Sequence, residues 1–321
     1  MISENELRAA VEAIRSGGLV AFPTETVYGL GANALDAVAV ERIYRVKGRP
    51  KTSPLIVHVD SVEAVRKLVR EWPQAASCLA ERFWPGPLTL VLPKRECIPA
   101  VVTAGLDTVG IRIPAHPVAL AFLRESGVPV AAPSANRFTQ LSPTRAEHVR
   151  QAFGPEVQVV LDGGRTNVGI ESTVIGFDRG KWRMLRPGVI SRPEIEACTG
   201  TLDDSLAASD EAPHSSPGLH RRHYQPRTPV WLSGSAGLPR DGVGAYVFWS
   251  QPVSGVRSIA MPPEARAYAG RLYDVLHQLD ADHLDWIVIE PVPDGPEWEG
   301  VRDRLTRAAA GPVPDHTGAG S

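Results

Sequence analysis

The stretch FPTETVYGLGANA, residues 22–34, decides how the first half of the chain is read. Gly29, Gly31 and Ala34 form a G-x-G-x-x-A pattern, which invites a dinucleotide-binding reading. That reading needs the first glycine directly after a strand, so that backbone N–H groups meet a pyrophosphate at a helix N-terminus. Here the apolar run at 19–22 ends the strand and six residues, from Pro23 to Tyr28, intervene. About twenty residues on, where an acid should hold a ribose, stand Arg49, Pro50 and Lys51. The pattern is therefore read as a turn at which the backbone passes close to another part of the fold. The polar run Pro23-Thr-Glu-Thr is read as a cluster at a strand end.

Working outward, helix and strand signals alternate. Ser3 with Glu6 is a capping box, in which each side chain satisfies the other residue's free backbone N–H. Leu7, Ala10, Val11 and Ile14 then share one helical face until Gly17-Gly18. Helices are predicted at 36–46, 61–70, 74–83 and 116–126, and strands at 55–59, 88–92, 109–113 and 128–132. Thr144 with Glu147 predicts a second capping box opening a helix to 153. Strands at 157–161, 173–177 and 182–185 follow, then a short helix capped by Ser191 and Glu194. Residues 201–217, TLDDSLAASDEAPHSSP, carry too little apolar area to offset chain entropy and read as a linker. Beyond it, strands at 229–232, 243–249, 256–260 and 286–290 alternate with helices at 263–279 and 298–310, implying a small, at least partly parallel α/β unit. The expected division is 1–200, a linker at 201–228, and 229–321.

Composition narrows the function. The 321 residues are 43% hydrophobic and 22% charged, with Gly and Pro at 29 each, normal for a globular protein with many loops. No apolar run is long enough to span a bilayer, and residues 1–6 lack a signal peptide's apolar core. No membrane association is expected. The net charge of −2 hides an asymmetry. Residues 1–200 hold 24 Lys and Arg against 20 Asp and Glu, and residues 201–321 hold 10 against 16. A mildly basic first part suits a phosphate-bearing ligand but is too weak a signal for nucleic acid. Cys78, Cys97 and Cys198 form no C-x-x-C, so neither zinc nor a disulfide framework is expected, and a reducing cytoplasm is the expected home. His214, His220 and His223 lack acidic or Cys partners at ligand spacing, so no protein metal site is assigned.

There is no Walker A loop, G-x-S-x-G elbow or H-E-x-x-H. Instead, hydroxyls and cations cluster at strand ends: Thr24 to Tyr28, Lys47-Gly-Arg49, Thr108 and Arg112, Ala132-Pro-Ser134-Ala-Asn136, Glu171-Ser-Thr173, and Arg186-Pro-Gly188. In α/β proteins such loops form the ligand crevice. Arg forks grip pairs of oxygens and Lys acts as a point charge, so the set reads as a nucleotide site without a P-loop.

These stretches, in this order, resemble the YrdC-like family of L-threonylcarbamoyladenylate synthases. The resemblance runs through FPTETVYGLGANA, KGRPKTSPLIVHV (47–59), FWPGPLTLVL (83–92), VGIRIPAHP (109–117), AAPSAN (131–136), SPT (142–144), ESTVI (171–175) and LRPG (185–188). SPGLHRRHYQP (216–226) resembles the SPGxxxxHYxP linker of the long, two-domain form. The resemblance implies a twisted mixed-sheet α/β domain followed by a small Rossmann-like α/β domain. It also implies a nucleotidyltransferase making threonylcarbamoyl-AMP and pyrophosphate from L-threonine, bicarbonate or CO2, and ATP accompanied by Mg2+. Other proteins would pass the group to tRNA beside the anticodon, with direct tRNA binding here weak or absent. Carried over by motif, the threonine side comprises Thr26, His58, Arg112, the backbone of Ala132, and Ser172. The ATP side comprises Lys47, Arg49, Ser53, Thr108, Ser134, Asn136, Ser142, Arg186 and Tyr224. Lys47, Arg49 and Arg112 are the expected catalytic cations. Departures are Leu219 where Met is usual, Arg137 to Leu141 where an S-G pair is usual, and Ser53 where Asn is frequent. Two alternatives stand beside this reading: a carbamoyl-AMP-forming module related to hydrogenase maturation, and a non-catalytic RNA-binding protein of the same fold. The linker is expected to act as a lid that brings Tyr224 to the ATP.

Overall fold

The computed structural model describes residues 2–204, 224–234, 237–239 and 241–309. Most of the proposed lid and all three linker histidines therefore lie outside the described residues. The Ser3–Glu6 box forms, and α1 (Glu4–Arg15) buries Leu7, Ala10, Val11 and Ile14. β1 (Val20–Pro23) follows.

The next element corrects the sequence reading. The presumed turn is β2 (Tyr28–Asn33), antiparallel to β1 with Phe22 opposite Gly29. A Cβ at Gly31 would stand 2.7 Å from Val130 and 2.9 Å from the Phe22 ring. The glycine is required because neighbouring side chains crowd over this strand, not because a pyrophosphate approaches it.

α2 (Ala37–Lys47) is capped by the Asp36 carboxylate and closed by Gly48 at φ 64°. Then come β3 (Ile56–His58), α3 (Val62–Arg66), α4 (Gln74–Phe83), β4 (Leu88–Pro93), β5 (Thr108–Arg112), α5 (Pro117–Ser126) and β6 (Val130–Ala131). α6 (Ala146–Phe153), β7 (Val159–Val160), β8 (Thr173–Asp178), β9 (Lys181–Arg186) and α7 (Arg192–Thr199) complete the first unit. The Ser191–Glu194 box opens α7, but the Thr144–Glu147 box does not form. The N-cap of α6 is Arg145, with no side-chain cap bond. The Thr144 N–H instead donates to His148 Nδ1 at 3.3 Å, and Arg145 reaches away to Asp274 at 2.6 Å.

The nine strands form one mixed sheet in the order β7-β1-β2-β6-β3-β5-β4-β8-β9. The largest apolar core packs α2, α4 and α7 on it through Val40, Ile43, Leu79 and Ile195. A second core joins α1 and α5 to Val20, Phe22 and Val130. A further correction concerns the cysteines: Cys78 of α4 and Cys198 of α7 form a disulfide across 120 residues of chain. Spacing rules look for near neighbours, whereas this pair meets only because the two helices pack side by side. Cys97 is exposed and unpaired.

The second unit holds β10 (Val230–Leu232), β11 (Gly244–Phe248), β12 (Arg257–Ala260), α8 (Ala265–Ala281), β13 (Trp286–Ile289) and α9 (Glu299–Ala308). Its sheet is wholly parallel, in the order β10-β13-β11-β12. Its core does not stop at the unit's edge. Val27, Leu141, Ile170 and Tyr224 share one buried cluster with Tyr273, Trp298 and Leu305. The two units are thus packed together rather than merely tethered. Among the described residues no helix is long and apolar enough to cross a membrane.

Candidate active site

The site begins with strand register. β3 and β5 are parallel, with His58 paired to Arg112, so both side chains leave the carboxyl ends of adjacent strands. Arg112 is 3% exposed. Its Nη1 donates to Thr26 Oγ1 at 2.9 Å and its Nε to the Gly86 carbonyl at 3.1 Å. Its Nη2 stands 2.7 Å from Glu25 Oε1, but the two atoms are not aligned as a hydrogen bond. An arginine braced on one side and only ionically engaged on the other keeps directional capacity for a carboxylate. His58 is buried edge-on to Phe22. Burial, with the Arg112 charge, pulls its pKa down to about 3, so the ring is neutral at pH 7. Its Nδ1 meets no hydrogen-bond partner among the described residues, and a buried polar atom left this way asks for a ligand or water.

Hydroxyls and guanidiniums continue the wall. Thr26, His58, Arg112, Ala132 and Ser172 line one cavity that opens to solvent and is also lined by Arg49, Ser134, Arg186 and Tyr224. Thus all five residues expected on the threonine side meet four of those expected on the ATP side. Burial lowers the Arg49 pKa to about 10, leaving it charged. Its Nη2 donates to Ser53 Oγ at 2.6 Å. Arg186 Nε donates to the Ser172 carbonyl at 3.1 Å and Nη2 to Ser172 Oγ at 3.2 Å. Ser172 Oγ also lies 2.8 Å from Thr89 Oγ1.

Four expected residues stand behind this wall. Lys47 is buried in the last turn of α2, and its ammonium donates to the Ser134 carbonyl at 2.6 Å and to that of Asn136. Burial and the nearby Arg49 and Arg137 charges push its pKa well down. In this arrangement Lys47 braces the S-A-N loop. Asn136 Nδ2 ties that loop to the Gln140 carbonyl at 2.8 Å. Ser53 is held by Arg49, and Ser142 donates to Glu171 Oε1. Thr108 is not brought to the cavity. It opens β5 while Arg112 closes it, four strand residues or about 13 Å away, and it lines a separate crevice with Pro54 and Val174.

Sequence reading gave no role to Glu25, Glu171 or Arg304. Glu171 lines the cavity, and its Oε2 accepts from Arg304 Nε at 2.7 Å and from the Tyr273 hydroxyl at 3.2 Å. Burial alone would raise its pKa, but the Arg304 and Arg186 charges and the Ser142 and Arg304 hydrogen bonds hold it down at about 2. Arg304 is fully buried, with its guanidinium 5.4 Å from the Tyr224 ring centroid. A signal for Arg304 exists in the sequence: it falls on the apolar face of its helix, beside Val301, Leu305 and Ala308, where a charge needs a partner.

Among the described residues no three His, Cys, Asp or Glu side chains gather at metal-binding spacing, and no Ser–His or Cys–His pair is built in the cavity. The fold is α/β, and the cavity gathers guanidinium and hydroxyl groups of the kind that hold carboxylate and phosphate oxygens. Residues 12–188 match the family described as "Telomere recombination", and residues 190–310 match "Threonylcarbamoyl-AMP synthase, C-terminal domain". The chain belongs to the threonylcarbamoyl-AMP synthase family in its two-domain form, and is a nucleotidyltransferase-type enzyme. It is 40% identical to the Threonylcarbamoyl-AMP synthase of Bacillus subtilis (strain 168), over 97% of this chain and 95% of that relative. It is 40% identical to the protein of the same name from Pyrococcus abyssi, over 96% and 95%. The crystal structure of P. abyssi Sua5 complexed with L-threonine superposes with a TM-score of 0.87 at 40% identity, covering 96% of this chain and 95% of that one.

Proposed function

We propose that this chain makes threonylcarbamoyl-AMP from L-threonine, bicarbonate or CO2, and ATP. The observation that carries the reading is a single cavity whose lining brings Arg112 and the unpartnered His58 nitrogen together with Arg49, Ser134, Arg186 and Tyr224. Arg112 takes the threonine carboxylate as a bidentate fork. Neutral His58, beside Thr26, accepts a hydrogen bond from the substrate's hydroxyl or amine without adding charge.

The chemistry needs little else. The threonine amine combines with CO2, losing a proton, or with bicarbonate, losing water, to give an N-carboxylate. An oxygen of that carboxylate attacks the α-phosphorus of ATP, and the bond to pyrophosphate breaks in line. The protein's part is to align the two substrates and spread the developing phosphate charge over Arg49 and Arg186. ATP brings Mg2+ as a substrate complex. Both carboxylates near the cavity, Glu25 and Glu171, already face arginines, so phosphate and water oxygens supply most of its ligands. On this reading the product is handed to separate proteins that modify tRNA next to the anticodon, and the reaction is a cytoplasmic one.

The test is pyrophosphate release by the purified chain with MgATP. Release that requires both threonine and bicarbonate supports the reading. No release with all three present, or release driven by carbamoyl phosphate without threonine, defeats it.

A further inference from the structure

The second unit reaches into the cavity wall from behind. α9 and α8 lie so close to the loops carrying Glu171 and Arg186 that side chains are excluded at the crossings. A Cβ at Gly300 would stand 2.4 Å from the Gly188 carbonyl, and one at Gly169 would stand 2.4 Å from the Ala269 carbonyl. Arg304 enters through this contact with 0% exposure. Its Nε meets Glu171 Oε2, Nη2 donates to the Glu171 carbonyl at 3.2 Å, and Nη1 donates to the Pro187 carbonyl at 2.9 Å. One guanidinium therefore fastens both the E-S-T and the R-P-G loops. Asp303 on the same helix also contacts it at 2.8 Å, and Tyr273 of α8 shares Glu171 with it.

Glu171 is the carboxylate in the cavity lining. Left unpaired, it would set a negative charge where the phosphates must come, in a setting of low dielectric where repulsion is strong. We propose that Arg304 is a positioning residue for the nucleotide, supplied by the second unit. It neutralises Glu171, keeps that carboxylate turned to Ser142 and Tyr273, and supports Tyr224 through its face. The nucleotide half of the cavity is then complete only when the second unit is docked, while His58 and Arg112 of the threonine half stand on β3 and β5, outside the contacts of Arg304, and only Ser172 is shared with the braced loop. This rests on the ATP-using reading above and assigns the second unit a role within it.

The test measures ATP and L-threonine affinities of the full chain by calorimetry, so it reads binding whether or not turnover occurs. Failure of the synthase reading would appear separately, as a wild-type chain that binds ATP but releases no pyrophosphate. Arg304→Met is expected to weaken ATP binding at least tenfold and threonine binding less than twofold. Arg304→Lys should recover ATP affinity to within about threefold of wild type. So should the double variant Glu171→Gln/Arg304→Met, because the orphaned charge is gone. Unchanged ATP affinity in Arg304→Met would overturn the proposal, as would equal loss of both ligands without recovery in Arg304→Lys. If Arg304→Met does not fold, the double variant decides. Folded with near-wild-type ATP affinity, it supports the proposal; unfolded, or folded with ATP binding weakened tenfold, it overturns it.

Discussion

Two buried arginine–carboxylate pairs flank the cavity, and they face it in opposite senses. In Arg112–Glu25 the arginine lines the cavity and the carboxylate stands behind. In Arg304–Glu171 the carboxylate lines the cavity and the arginine stands behind, on another unit. A buried pair is weak evidence for stability, because desolvation opposes the attraction. Orientation is what separates their functions. On the proposed reading, the first presents a cation to a substrate carboxylate. The second, on the same reading, conceals an anion from a polyphosphate, and its contact ties the second unit to the site.

The largest expected effect sharpens this comparison through pH. Native His58 is neutral, so the unfolded chain binds the extra proton. Its contribution to stability is whole above pH 6.5 and is lost as pH falls toward about 3. Native Glu171 is ionised, so its contribution is whole above pH 4.5 and is lost as pH falls toward about 2. A tenfold difference in proton affinity between folded and unfolded chain corresponds to about 1.4 kcal/mol, giving several kcal/mol in each window. In denaturant titrations, His58→Phe should flatten the loss between pH 6.5 and 4.5. The flattening is partial, since burial also holds the His148 pKa at about 3. Glu171→Gln should leave that upper slope alone and flatten the loss below pH 4.5. Variants that track the wild type in both windows would break the distinction.

Next in size, Arg112→Ala should raise the threonine KM about 100-fold, as expected for removing one side of a buried charged contact. The ATP KM should move less than about threefold. The reverse split would mean the two ends of the cavity are exchanged. Smaller again is Tyr224→Leu, which removes the ring between Arg304 and Tyr273. A loss of about 1 kcal/mol predicts roughly a fivefold rise in ATP KM with threonine KM unchanged, and an equal rise in both would detach Tyr224 from the nucleotide side.

The two pairs also differ in how far sequence alone reveals them. That Thr26, His58, Arg112, Ala132 and Ser172 gather was legible because they sit at strand ends inside short motifs, and strand register then brings His58 beside Arg112. Glu171 was visible in its motif but had no assigned partner, because Arg304 lies 133 residues away in a helix that carries no motif. The same blindness to distance hid the Cys78–Cys198 bridge. Gly29 and Gly31 misled differently. Glycine marks close approach, but the approaching groups were neighbouring side chains over a strand, so a strand was read as a turn. At Thr144 a local capping pattern lost to tertiary contacts, with Arg145 drawn to Asp274 on α8.

The most direct measurement is a crystal structure of the full chain with L-threonine and a non-hydrolysable ATP analogue. The threonine carboxylate is expected within hydrogen-bonding distance of Arg112, and the phosphates between Arg49, Ser134 and Arg186 with Arg304 still closed on Glu171. A nucleotide bound outside this cavity, or one whose phosphates contact Arg112 while threonine sits beside Tyr224, would contradict this placement.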